Sequence, residues 1–146
     1  TLDTELSNQT KINLPPRIRM ATLYAVSQTL NGRVINTCNM SESHVGFDTI
    51  FGDSAGDMSP LANLTKTEVI ALAKELNLPD ALVYKIPQDG LTGLSDEQSF
   101  GFSYAELDAY IRDGIEPSKE VKTKIDSMHD KNLFKLQPMP SYKYEV

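Results

Sequence analysis

Between Arg33 and Lys66 the chain gathers the side chains best suited to chemistry on a phosphate ester. A hydroxyl, Thr37, follows the short β-branched run Val34-Ile35. An acid, Glu42, comes next, and after it the glycine- and aspartate-rich loop Gly52-Asp53-Ser54-Ala55-Gly56-Asp57. Lys66 closes the stretch at the mouth of an amphipathic helix. In an open α/β sheet, ligands sit beyond the carboxyl ends of strands, where loops lead into helix N-termini. Hydroxyl, carboxylates, backbone amides and one ammonium arriving there together suit a metal-bound phosphate ester.

Each of these side chains has a plainer use to set against that chemistry. A lysine on a first helical turn opposes the helix dipole, so Lys66 is badly placed as a solvated cation and well placed beside an anion. Asp53 and Asp57 have a local alternative, since aspartate readily turns its carboxylate onto nearby backbone amides. Glu42 stands three residues after Asn39, the spacing of a capping box, which offers its carboxylate a second partner. Cys38 has no general base paired with it and reads as a small packing residue. His44 and His129 are separate singletons without Cys or His at ligand spacing, so no transition-metal site is expected, and His129 is expected near the surface at a helix end.

The elements that must position these groups are read as follows. Residues 1–13 are polar and are expected to form a mobile arm or a link to a segment outside this chain. Pro15-Pro16 is expected to open a helix with Met20, Leu23, Tyr24, Ser27 and Leu30 inward, stopped by Asn31-Gly32. Val34-Ile35 reads as a buried strand. Asn39 to Glu42 starts a short helix that Gly46 ends, and Phe47 to Phe51 is a candidate extended piece. Thr65 to Glu68 is a capping box for a helix with Val69, Leu72, Ala73 and Leu76 on one face, ended by Asn77 and Pro79. Ile86 to Phe102 reads as a long lid or binding loop, with residues 86–98 expected to be mobile without ligand and ordered with it. Ser103 to Glu106 caps a helix that ends at Gly114. Pro117-Ser118 starts a last one with Val121, Ile125 and Met128 inward.

The totals exclude several classes. The chain has 146 residues, 40% hydrophobic and 23% charged, with a net charge of −6. It therefore lacks the basic face that nucleic-acid phosphates or anionic lipid require, and neither a nucleic-acid nor a membrane partner is expected. One cysteine rules out an internal disulfide framework and points to a reducing, cytoplasmic setting. No apolar run approaches the length of a membrane span.

Several blocks taken together, namely PPRIRM, NTCNMSE, GDSAGDMSPLANLTKTEV, PQDGL, DEQSFGFSY and a lysine-bearing tail, resemble the ammonia-dependent NAD synthetase family in order and spacing. The likeness covers residues 14–146 and corresponds to the C-terminal half of a single such domain. The family's Ser-Gly-Gly-x-Asp-Ser pyrophosphate loop does not occur in the sequence. The resemblance implies an α/β fold, part of a doubly wound, Rossmann-like domain of the adenine-nucleotide-hydrolase type, mostly helical in this portion. It implies ATP-dependent amidation of deamido-NAD by ammonia through an adenylated nicotinate, with Mg2+ and a homodimeric assembly. The alternative is a non-catalytic nucleotide-binding or dimerisation fragment. Carried over by position, the family's roles put Asp53 on ammonium capture and deprotonation, Lys66 on the ATP phosphates and departing pyrophosphate, Thr37 and Gln88 on ATP, and Glu42 on magnesium. Arg17, Asp57 and Lys135 fall on deamido-NAD. Three positions depart from the pattern: Ile50 replaces a lysine, Gln88 a Ser or Thr, and Phe134 a histidine.

Overall fold

Helix starts are written into this chain as a polar side chain three residues ahead of an acid or amide. Asn39/Glu42, Thr65/Glu68, Ser95/Gln98 and Ser103/Glu106 all close as reciprocal capping boxes, each side chain answering the other residue's backbone N–H. The computed structural model describes residues 4–88 and 93–144. Its helices are α1 (Asn8–Thr29), α2 (Met40–Val45), α3 (Lys66–Glu75), α4 (Asp80–Val83), α5 (Asp96–Phe100), α6 (Tyr104–Asp113) and α7 (Lys119–Asn132), followed by a 3-10 turn, Leu133–Lys135.

The first helix begins earlier than expected. Ser7 caps it by accepting the Thr10 N–H at 3.2 Å, so residues 8–13 are helical and Pro15-Pro16 lie inside the helix rather than at its start. Lacking N–H groups, the two prolines leave two ladder bonds unmade. Pro16 is buried, and a Cβ placed on Gly52 would sit 3.1 Å from the Cβ of Pro16, so the glycine lets the loop rest on α1. Met20, Tyr24 and Ser27 turn inward as expected, whereas Leu23 and Leu30 are exposed. At about 100° per residue they are rotated off the Pro16–Met20–Tyr24 line.

Val34-Ile35 is reduced to a single parallel bridge, Ile35 with Met58, with Val34 buried and Ile35 exposed. No longer strand occurs among the described residues. The segment is pinned instead by Asn36 N–H to the Met58 carbonyl at 2.8 Å and Asp57 N–H to the Val34 carbonyl at 2.7 Å. Phe47 to Phe51 is a turn, not an extended piece: Phe51 has φ 60°, and Gly52 N–H bonds the Thr49 carbonyl at 2.8 Å. On α3, Val69 and Ala73 are half-buried, but Leu72 and Leu76 face solvent.

The segment expected to be one long loop holds a helix. α5 begins at Asp96, and Phe100 and Phe102 behind it are buried; residues 89–92 of that expected loop lie outside the described residues. The core is Val45, Phe100, Phe102, Tyr104, Leu107 and Ile125, with Val121 and Met128 packed on it as the α7 pattern predicts. Phe100 meets Phe47 and Tyr104 edge-on, with ring centres 4.6 and 5.4 Å apart.

Two polar junctions hold the frame of the site. Asp108 of α6 is 4% exposed; it accepts the Ser41 hydroxyl on one oxygen and the Thr67 N–H at 2.7 Å on the other, while Ser41 Oγ accepts the Lys66 N–H at 2.9 Å. Between them the carboxylate and the Ser41 hydroxyl thus satisfy two amides at the start of α3 and tie α2, α3 and α6 together. On the other side, His44 and His129 are not separate: their rings stack at 4.2 Å, and His129 Nδ1 donates to the His44 carbonyl at 2.9 Å. Burial, and then the neighbouring ring of His129, push His44 below the usual histidine range.

Candidate functional site

The fold brings the end of the Val34-Ile35 segment, the start of α2, the Asp48–Asp53 turn and the start of α3 around one cleft of about 850 Å3. Of the eight residues singled out by sequence, seven line it: Arg17, Thr37, Glu42, Asp53, Lys66, Gln88 and Lys135. Asp57 does not. Its Oδ2 accepts the Val34 N–H at 2.7 Å, the backbone use that aspartate-rich turns favour.

Glu42 divides its two oxygens between the two uses that the sequence offers. Oε2 accepts the Asn39 N–H at 3.2 Å and completes the α2 capping box, while Oε1 lies 3.2 Å from Lys66 Nζ. Lys66 sits on the first turn of α3, its ammonium 5.2 Å from the centre of the Tyr104 ring. Thr37 and Gln88 are exposed to the cleft. Asp53 Oδ1 accepts the Thr49 N–H at 2.9 Å, and Arg17 Nε donates to the Ile50 carbonyl at 3.2 Å.

Lys135 arrives from the tail with its ammonium enclosed by protein acceptors: the Gly46 carbonyl at 2.7 Å, the Asp48 carbonyl at 2.7 Å and Asp48 Oδ1 at 3.1 Å. Burial pushes the Asp48 carboxyl above the usual carboxylate range, and Lys135 opposes that shift. Cys38 is half-buried beside three carboxylates. Burial first, then Asp53, Glu42 and Asp48, push its thiol up to about 12, so it stays protonated and is no nucleophile. Ile50 and Phe134 present apolar surface to the same cleft.

A second cleft of about 280 Å3 adjoins the first and shares Glu42, Lys66, Gln88 and Asp96 with it. Asp96, Asp48 and Asp108 were not singled out from the sequence. Asp108 and Asp48 act through partners 41 to 87 positions away, which no local spacing reports. Among the described residues no three His, Cys, Asp or Glu side chains converge as a metal cage. A magnesium-type ion needs only one or two carboxylates beside phosphate oxygens, and Glu42 with Asp96 supply that donor type at the wall between the clefts. No helix of the described residues is long and apolar enough to cross a membrane.

Comparison with known proteins places the chain. It is 45% identical over 100 residues to the NH3-dependent NAD+ synthetase of Finegoldia magna, covering 68% of this chain and 42% of that one. To the Mycoplasmopsis pulmonis protein of the same description it is 36% identical over 138 residues, covering 94% and 53%. The chain therefore spans about half the length of the curated relatives it matches. Among solved structures, NMN synthetase from Francisella tularensis superposes with a TM-score of 0.89 at 35% identity, covering 96% of this chain and 59% of that one. The Campylobacter jejuni NH3-dependent NAD synthetase, in complex with nitrate, gives 0.69 at 30% identity, covering 97% and 58%. These neighbours bear out the α/β, adenine-nucleotide-hydrolase-like fold class, of which this portion is mostly helical. With the family described as NAD synthase matching residues 1–146, the chain belongs to the NAD synthase family.

Proposed function

We propose that the larger cleft is half of the active site of a carbon–nitrogen ligase, which amidates the nicotinate carboxylate of deamido-NAD with ammonia at the expense of ATP. The observation that carries this reading is Lys66 on the opening turn of α3, paired with Glu42 at 3.2 Å on the wall of a cleft that Thr37, Asp53 and Gln88 also line. A carboxylate is a poor electrophile until one oxygen becomes part of a good leaving group. In the first step a nicotinate oxygen bonds the α-phosphorus of ATP and pyrophosphate departs. In the second, the ammonia nitrogen bonds the carboxyl carbon and AMP departs with the former carboxylate oxygen.

Lys66, on the first turn of α3, stabilises negative charge on the phosphates. Thr37 and Gln88 hydrogen-bond ATP. Asp53 takes the proton that ammonium must lose before it can attack. Glu42 is the proposed Mg2+ ligand; when bound, the ion neutralises phosphate charge. Arg17 and Lys135 are the proposed cations on the deamido-NAD side. Asp57 joins that set only with the oxygen that does not hold Val34. The reading also takes in a cytoplasmic homodimer, with residues 14–146 as the C-terminal half of the domain and a Ser-Gly-Gly-x-Asp-Ser segment supplied by another stretch of polypeptide.

The test mixes this chain with a polypeptide carrying the Ser-Gly-Gly-x-Asp-Ser half of a relative, together with ATP, Mg2+, deamido-NAD and ammonia, and measures AMP. Production that disappears with Lys66→Ala supports the ligase. Folded, associated halves that make no AMP favour the alternative, a non-catalytic nucleotide-binding or dimerisation fragment.

A second substrate reading has its own support. The side chains of Ile50 and Phe134 cannot make hydrogen bonds, Lys135 already has three protein acceptors, and the 0.89 likeness is to an NMN synthetase. On this reading the acid is nicotinate mononucleotide, which carries the same reacting carboxylate without the adenylyl half. The two acids, offered separately to the reconstituted halves, discriminate by their kcat/KM.

A further inference from the structure

Asp96 has an oxygen for which the roles assigned above have no use. Its side chain is enclosed at 6% exposure, Oδ2 accepts the Tyr104 hydroxyl at 2.8 Å, and Oδ1 is buried without a hydrogen-bond partner. Native structures nearly always meet such a group with a water or an ion, because a carboxylate oxygen removed from water without replacement is costly. Asp96 belongs to the wall of both clefts, and the side chains that share both with it are Glu42, Lys66 and Gln88.

Negative charge converges on this wall. The Tyr104 hydroxyl is pushed above its usual range by burial first, and then by Glu42, Asp96 and Asp108 around it. Asp108 is already answered by Ser41 and the Thr67 amide. Glu42 and Asp96 are left with Lys66, whose ammonium reaches Glu42 Oε1 at 3.2 Å, and with Lys85, exposed at the rim of the smaller cleft. Oε2 of Glu42 is committed to the Asn39 amide.

We propose that Asp96, through Oδ1, and Glu42, through Oε1, form a two-carboxylate site for a hydrated divalent cation of the magnesium class, with Lys66 holding Glu42 in the cation's absence. The inference rests on the nucleotide reading above and adds Asp96 to it. Ions of this class take hard oxygen donors, use one or two protein carboxylates and retain several waters. An enclosed Oδ1 suits the hydrogen of a cation-bound water.

The test is a titration of the 146-residue chain with Mn2+, followed by the electron-spin-resonance signal of the free ion, with and without ATP. Asp96→Asn, which keeps the shape and a partner for Tyr104, is expected to weaken Mn2+ binding roughly 10–100-fold, while Asp130→Asn on the exposed side of α7 leaves it unchanged. A second readout needs no substitution: bound Mn2+ broadens the amide signals of Asp96 and Tyr104 together with that of Glu42. Wild-type affinity in a folded Asp96→Asn chain, or broadening confined to Glu42, removes Asp96 from the site and leaves the nucleotide reading standing. ATP binding without any Mn2+ binding overturns the cation site alone, and failure of both overturns the inference and the reading beneath it.

Discussion

The Lys66 ammonium lies 3.2 Å from Oε1 of Glu42, and each side chain is less than one-fifth exposed. Each charge is the other's compensation, on the turn of α3 where an anion would otherwise be welcome. Lys66→Met therefore removes both the phosphate donor and the group that neutralises Glu42. We expect ATP affinity to fall roughly 10–100-fold, the worth of one charge-assisted hydrogen bond. Calorimetric titration of the folded variant checks it; an unchanged affinity removes Lys66 from the phosphate site.

Asp108 predicts a coupled effect. Truncation to Ala strips the Ser41 hydroxyl and the Thr67 amide of their acceptor at a buried three-helix junction. Urea unfolding should show a loss of about 2–4 kcal/mol, with Asp108→Asn costing less. Because Lys66 sits on the first turn of α3, which Asp108 anchors, nucleotide affinity should fall in both variants, in the order of their stability loss.

Gly46 ends α2 at φ 67°, and a Cβ there would fall 2.2 Å from the Cβ of Asn132 on α7. Gly46→Ala combines a left-handed backbone with an overpacked contact and should cost about 2–4 kcal/mol. Thermal and denaturant melts report it, and a variant as stable as wild type would show that the α2–α7 approach is looser than described.

Cys38 should be almost inert. With the thiol pushed up to about 12 by burial and three carboxylates, its reaction with iodoacetamide at pH 8 should be roughly a thousandfold slower than that of an ordinary cysteine. Unfolding in urea should restore the ordinary rate, whereas fast labelling of the native chain would contradict the enclosed, acidic setting.

Glu68 gives the pH dependence. The Arg112 guanidinium, 2.6 Å away, and then the Thr65 N–H hold its carboxyl at about 2 rather than the usual 4.5. A group depressed on folding contributes stability that is complete above its unfolded value and is lost as the folded value is approached from above. Acid should thus weaken the native chain progressively from pH 4.5 towards 2, and Glu68→Gln should flatten that part of the profile. A constant gap between the two melting curves across the window would count against the assignment.

What could be read in the sequence was what is local. The α2, α3 and α6 caps follow from pairs three residues apart, and Thr37, Glu42, Asp53 and Lys66 could be grouped because one loop–helix stretch carries them. The start of α1 was missed because Pro15-Pro16 imitates a first turn and outweighed the lone Ser7 cap. The Ser95/Gln98 box of α5 was present but hidden among glycines. Asp108 meets Ser41 across 67 positions and His129 meets His44 across 85, distances at which only the folded chain shows a partner.

The most direct measurement is a titration of the 15N-labelled chain with ATP, following its amide signals. A nucleotide cleft predicts saturable shifts that collect at Thr37, Glu42, Lys66 and Gln88, and that are lost in Lys66→Met. Shifts that fail to saturate, or that gather on the exposed side of α7 with those four amides unmoved, would contradict it.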